Sequence, residues 1–218
     1  MPQSARRIAQ TRAEIFEHAA RLFRLRGYAG TNIDDIMLAA GLTRGAFYAH
    51  FKSKDDLFAE VMRAGHGLLA QARATGPQSA LEAYLAKDDL AANALACTLA
   101  ALPSDVARAP LPARLAYANA LYALIGELAQ GRSRKLDADA TAAAILAVGA
   151  VSLARASGDT RLSDWLLRCA RRAALALLKP KKTAKKRASP KRKRSRSRRK
   201  AAGARRSRRA ARGRAGRA

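Results

Sequence analysis

The stretch GLTRGAFYAHFKSKDDL, residues 41–57, crowds a glycine, a threonine, aromatics, a histidine and lysines into one short run. A core helix has little use for Tyr48, His50 and Lys54 so close together. Ala39 and Ala40 before it allow two helices to approach, and Gly41 tolerates the positive φ of a sharp turn. Thr43 can cap the helix that follows, on which Phe47 and Phe51 lie four apart and turn inward with Leu42. Arg44, Gly45, Ala46, Tyr48, Ala49 and His50 are left to face outward. The segment predicts two short helices meeting at a tight corner, one of them presenting an outward, donor-rich surface.

Outward from this corner, almost every segment through Leu178 has a helical pattern. Alanine and leucine abound, β-branched runs are absent, and apolar residues recur three and four apart. Ile8, Ile15, Ala19, Leu22 and Phe23 share a face of a first helix that Gly27 ends. Thr31 and Asp34 form a capping-box-like start to the second. Ser53 caps a fourth helix with Asp55 and Asp56 in its first turn, and this helix is expected to run over about 54–69. Helices are predicted near 78–87, 88–102, 112–130, 137–156 and 161–178, with Pro103, Pro110 and Pro112 punctuating a connection. The fold class expected is all-α.

The net charge of +27 is unevenly spread: residues 1–178 hold 22 Lys and Arg against 16 Asp and Glu, whereas residues 179–218 hold 21 and no acid. A balance of this kind points to a polyanion. Two cysteines, Cys97 and Cys169, make no disulfide framework and no metal-ligand spacing. No nucleophile–base arrangement or phosphate-cradling glycine loop is legible, so neither an enzyme nor a cofactor or metal is expected. The N-terminus lacks a signal-peptide pattern. The longest uncharged apolar run, 140–154, is short for a bilayer span. A cytoplasmic, nucleoid-associated protein with no membrane partner is the expectation.

The geometry of residues 33–51 is that of a helix-turn-helix whose second helix enters the DNA major groove. Arg44 suits a fork onto the O6 and N7 of guanine, and Gly45 and Ala46 remove bulk where backbone nears the bases. Tyr48, His50 and Lys54 offer donors to phosphate, as do the Thr31 hydroxyl and its helix N-terminus. Against this stands the plainer reading of Tyr48 and His50 as ordinary surface residues.

Residues 8–62, above all GYAGTNIDDIMLAAGLTRGAFYAHFKSKDDLF, resemble the N-terminal DNA-binding domain of the TetR family of bacterial transcriptional regulators. The resemblance implies that Thr43, Arg44, Gly45 and Ala46 lie nearest the bases and that Thr31, Tyr48, His50 and Lys54 meet phosphates. It implies a DNA-binding domain at 1–53 and a helical ligand-binding and dimerisation domain at 54–178. The protein would be a homodimer on a palindromic operator, its interface formed by helices near 137–156 and 161–178. Helix 54–69 would be the lever through which a small-molecule inducer acts, commonly to release a repressor. The inducer pocket would draw on Tyr84, Cys97, Leu99, Tyr117, Leu121 and Tyr122, together with Leu95, although each also reads as plain core. The run ALACTLAALPSDVAR partly resembles a cysteine-containing segment of some TetR relatives that sense electrophiles. Ala96 stands where those carry glycine, and the apolar surroundings favour Cys97 as a small buried hydrophobe.

Residues 179–218 depart from that plan. Lys, Arg, Ala, Ser and Gly dominate, with Ser189-Pro190-Lys191-Arg192 similar to motifs in linker-histone-like tails. Such a composition cannot bury enough surface to offset its conformational entropy and is expected to be disordered. It has no aromatic for stacking on bases, so it would add sequence-blind affinity for DNA. A DNA-compacting protein in which this tail carries most of the binding is therefore the alternative function.

Overall fold

The computed structural model describes residues 2–65, 67–86, 97–130 and 136–179. The basic segment from 180 onward and residues 88–96 of the helix expected over 88–102, with Leu95, lie outside the described residues. Met1–Pro180 form one compact unit, and among the described residues there are helices and no strand.

Helix α1 (Pro2–Arg26) leads to a corner of α2 (Ile33–Ala39) and α3 (Arg44–Phe47), followed by α4 (Lys54–Ala64). Then come α5 (Leu68–Thr75), α6 (Pro77–Tyr84), α7 (Thr98–Ala101) and α8 (Pro103–Arg108). Three long helices complete the unit: α9 (Leu111–Ala129), α10 (Ala138–Ser157) and α11 (Thr160–Leu178). Helices α10 and α11 lie antiparallel across a turn at Gly158. Asp159 caps α11 by accepting the Arg161 and Leu162 N–H groups.

Two apolar clusters organise these elements. The head cluster joins Ile15 and Phe23 of α1, Ile36 and Met37 of α2, Phe47 and Phe51 of the turn-helix, and Leu57, Phe58, Val61 and Met62 of α4. Leu102, Val106, Ala113 and Ala116 enter it from the body side. The body cluster is built of leucine and alanine from α5, α6, α7, α9, α10 and α11 around Tyr84. Helix α10 has the length and composition of a membrane span, but its Ala140, Ala143, Ala144, Ala147 and Val151 are packed into this core.

Several boundaries differ from the expectations of sequence. The box that starts α2 is Asn32 with Asp35: the Asn32 side chain accepts from the Asp35 N–H at 2.7 Å, and the Asp35 carboxylate accepts from the Asn32 N–H. Thr31 is fully buried, and its hydroxyl donates to the Gly27 carbonyl at 2.9 Å, satisfying an orphan acceptor at the end of α1. Ile8 points to solvent. The lever helix expected over 54–69 ends at Ala64. At Gly67 a Cβ would stand 2.5 Å from Cys97 Cα, so the chain breaks helix here to let two backbones touch. Cys97 itself is extended, which ends any continuous helix through 102. Pro103, read as punctuation, is instead the first residue of α8, the position that tolerates a missing N–H.

Candidate nucleic-acid interface

The corner residues sort cleanly by burial. Phe47 and Phe51 anchor the turn-helix in the head cluster, their rings 5.7 Å apart. Helix α3 is a single turn, and the chain continues through the Ala49–Ala46, His50–Phe47 and Phe51–Phe47 backbone bonds. Thr43, Arg44, Gly45, Tyr48 and Ala49 are exposed on the outer side, while Ala46 and His50 are half-buried. Thr43 occupies the N-cap position without a side-chain cap bond, which leaves its hydroxyl uncommitted to the helix. A Cβ at Gly45 would meet nothing within 4 Å. The fold itself thus has no need of glycine there, as expected if the close approach is made to something outside the chain. Tyr48 is 58% exposed, its ring edge-on to Phe47.

Arg44 does not hang free. Its Nη1 donates to Asp34 Oδ2 at 2.7 Å, pairing the first residue of α3 with the first turn of α2. Both side chains are well exposed, so the pair itself is worth little in stability. It still sets the direction of the guanidinium, which keeps donors to spare for a second partner. Nothing in the spacing of Asp34 and Arg44, ten residues apart in different helices, signals this pair.

Lys54 is placed differently from the expectation. Its ammonium donates to the carbonyls of Tyr28 at 3.1 Å and Thr31 at 2.9 Å, and lies 4.0 Å from the centre of the Tyr28 ring. It ties the α1–α2 turn to the start of α4, where Tyr28 also donates its hydroxyl to Asp55. Burial, then that bond, pushes the Tyr28 hydroxyl well above its ordinary range. Thr31, sealed beneath the same turn, has its hydroxyl turned inward. The surface therefore gathers Thr43, Arg44, Gly45, Ala46, Tyr48 and His50, while Thr31 and Lys54 build the turn behind it. Sequence reading missed Tyr28, Asp34 and Arg12 as contributors. Arg12 of α1 donates from Nη2 to both carboxylate oxygens of Glu60 of α4, at 2.6 and 2.8 Å, and its guanidinium covers the Phe51 ring.

Among the residues named for an inducer pocket, Tyr84, Cys97 and Leu99 are fully buried together in the body cluster. The half-buried Tyr117 donates its hydroxyl to the Leu99 carbonyl at 2.8 Å, and Leu121 packs against the same core. Burial, with Cys97 beside it, pushes the Tyr84 hydroxyl far up. Tyr122 stands apart from this group, 58% exposed on the outer side of α9, because its position one residue past Leu121 turns it away from the core.

Residues 15–61 match the family model of bacterial regulatory proteins, tetR family. Over 52 residues the chain is 50% identical to the HTH-type transcriptional regulator AcrR of Shigella flexneri, covering 24% of each chain. Over 62 residues it is 39% identical to the HTH-type transcriptional repressor KstR2 of Mycolicibacterium smegmatis, 28% of this chain and 30% of that one. The chain thus matches less than a third of the length of these curated relatives. In fold it resembles the crystal structure of a TetR-family transcriptional regulator from Cytophaga hutchinsonii, with a TM-score of 0.60 and 22% identity over 78% of this chain and 96% of that one. The head, residues 15–61, is thus a domain of the bacterial regulatory proteins, tetR family, and the all-helical fold of the chain resembles that of TetR-family regulators.

Proposed function

We propose that the protein is a sequence-specific DNA-binding transcriptional regulator, a homodimer that represses until a small ligand enters its body. The observation that carries this is the outer surface of the α2–α3 corner. Arg44 is oriented by Asp34, Gly45 leaves open space, and Thr43 and Tyr48 offer hydroxyls, all on a turn-helix pinned by Phe47 and Phe51. Residues 1–53 would read DNA, and residues 54–178 would hold ligand and partner copy, with α4 shared between them. Arg44, Gly45, Ala46 and Thr43 face the bases in this reading, and Tyr48 and His50 the phosphates. Repression is supported by relatives such as KstR2, which is named a repressor.

The partner copy is assigned to the outer face of α10 and α11. Ile145 and Leu153 on one helix and Leu162 and Trp165 on the next are exposed large apolar side chains, with Gly149 and Ala142 allowing close approach. Two copies joined there would present two recognition helices, as a palindrome with half-sites roughly 34–36 Å apart requires.

The basic segment favours a second reading, in which compaction of DNA is the task and the head assists. Genome-wide footprinting with the full chain, beside a chain ending at Pro180, separates the two. Discrete palindromic footprints that survive truncation, and lose preference at one base per half-site in Arg44→Ala, are expected. Footprints that vanish on truncation, leaving diffuse coverage by the full chain, would overturn the regulator reading.

A further inference from the structure

The turn between α1 and α2 ends in an unexpected partner. The Tyr28 N–H donates to Asp105 Oδ1 at 2.8 Å, a bond between the head and a residue 77 positions later on α8. A turn that only had to stop α1 would satisfy this N–H on a carbonyl of its own last turn. Here Gly27, at φ +75°, brings its backbone so close that a Cβ would stand 2.9 Å from the same carboxylate oxygen. The contact is built from both sides.

What Asp105 grips is the hub of the head. The Gly27 carbonyl takes the Thr31 hydroxyl, the Tyr28 and Thr31 carbonyls take Lys54, and the Tyr28 hydroxyl reaches Asp55. Helices α2 and α4 therefore both start from this turn, and α3 hangs between them. What holds Asp105 is the body. Along residues 97–106, Cys97, Leu99 and Ala100 sit in the body cluster, then Leu102 and Val106 in the head cluster. Tyr117 of α9 bonds the Leu99 carbonyl and Ser152 of α10 bonds the Ala100 carbonyl at 2.9 Å, fixing the segment to the two long helices beneath.

We propose that Asp105 is a positioning residue for operator recognition, clamping the Gly27–Tyr28 turn so that each head keeps one orientation on its body and the dimer accepts one half-site spacing. This rests on the regulator reading above. The acceptor geometry is what matters: the contact is a neutral N–H on a carboxylate oxygen, so an amide oxygen in the same place serves.

The test takes an operator selected from random-sequence DNA by the full wild-type chain, and variants with one base pair added to or removed from its centre. Each such change moves one half-site by about 3.4 Å and turns it by roughly a tenth of a turn. Affinities are measured for wild type, Asp105→Ala and Asp105→Asn at one salt concentration high enough to suppress sequence-blind binding. Wild type is expected to prefer its own spacing by about tenfold or more, Asp105→Asn to keep that preference, and Asp105→Ala to lose most of it. If Asp105→Ala is unfolded by circular dichroism, Asp105→Glu replaces it, with the acceptor displaced by one methylene and the same loss expected. A uniform fall in affinity with the spacing profile intact would overturn the proposal, as would an Asp105→Asn profile matching that of Asp105→Ala. A wild-type chain that selects no operator defeats the regulator reading instead, so the two failures are distinct.

Discussion

The head and the body bury comparable apolar cores, yet they use side chains differently. In the head, named contacts are dense: Arg12 on Glu60, Arg44 on Asp34, Lys54 on two carbonyls, Tyr28 on Asp55 and Asp105. In the body the core is leucine and alanine packed on leucine and alanine around Tyr84. Each head position answers to two surfaces, its own core and the partner outside. A body position answers mainly to volume, and volume-conserving swaps are tolerated. This accounts for an identity of 50% to a named regulator confined to 52 residues, while the body is matched in fold alone.

The comparison breaks most visibly where the head has no slack. Phe47 is fully buried and positions the outward residues on either side of it. Phe47→Ala should remove about 3–5 kcal/mol of stability by transfer and cavity terms together. Denaturant unfolding followed by circular dichroism reads this. A loss below about 1 kcal/mol would show that the turn-helix is held by something other than its aromatic anchor.

The body's counterpart to the DNA surface is the exposed apolar face of α10 and α11. Ile145 is 65% and Trp165 58% exposed, apolar area that packing against a second copy would remove from water. Replacing both by glutamate should weaken self-association and operator binding by about a hundredfold, equal to about 2.7 kcal/mol, while leaving the melting temperature of the monomer nearly unchanged. Sedimentation at several concentrations measures it. A chain that stays dimeric would move the interface elsewhere on the body.

Lys54 sharpens the comparison within the head. A lysine at a phosphate contributes about 0.9 to the slope of log affinity against log salt; a lysine whose ammonium is held on carbonyls away from the phosphates contributes little. Lys54→Ala is expected to lower stability by about 1–3 kcal/mol through two lost charge-assisted bonds and to leave the salt slope unchanged. A slope that falls by about one would return Lys54 to the DNA surface.

These cases also show what could be read from residues alone. The corner was legible because Ala40-Gly41-Leu42-Thr43 and Phe47/Phe51 obey local rules of turn and period, and Ser53 caps α4 as its type suggests. Thr31 and Lys54 suit a phosphate by residue type, yet within the fold they meet the carbonyls of Gly27, Tyr28 and Thr31, because a hydroxyl or ammonium is equally suited to a phosphate and to a carbonyl. Only the three-dimensional course of residues 27–31 decides between them. The breaks at Gly65–Gly67 and at Cys97 arise from one backbone lying on another, a long-range contact with no periodic trace. Asp34 and Asp105, separated from their partners by 10 and 77 residues, were invisible for the same reason.

The smallest effect lies in the body, at the bond from the Tyr117 hydroxyl to the Leu99 carbonyl. Burial, then the neighbouring Cys97, pushes the Tyr117 hydroxyl up to about 12, whereas in an unfolded chain it titrates near 10. Between those values the unfolded state binds fewer protons than the folded one, so stability falls as pH rises through that window. The slope from one such group is at most about 1.4 kcal/mol per pH unit, less here because Tyr117 is only half-buried. Tyr117→Phe removes the titration and also the bond to Leu99, worth about 1 kcal/mol. The variant should therefore be less stable than wild type near pH 8, and the two should converge above about pH 11. Parallel stability curves from pH 8 to 12 would show that the Tyr117 ring reaches water in the folded body. That would mark the Leu99–Tyr117 region as open to solvent at the edge of the body core.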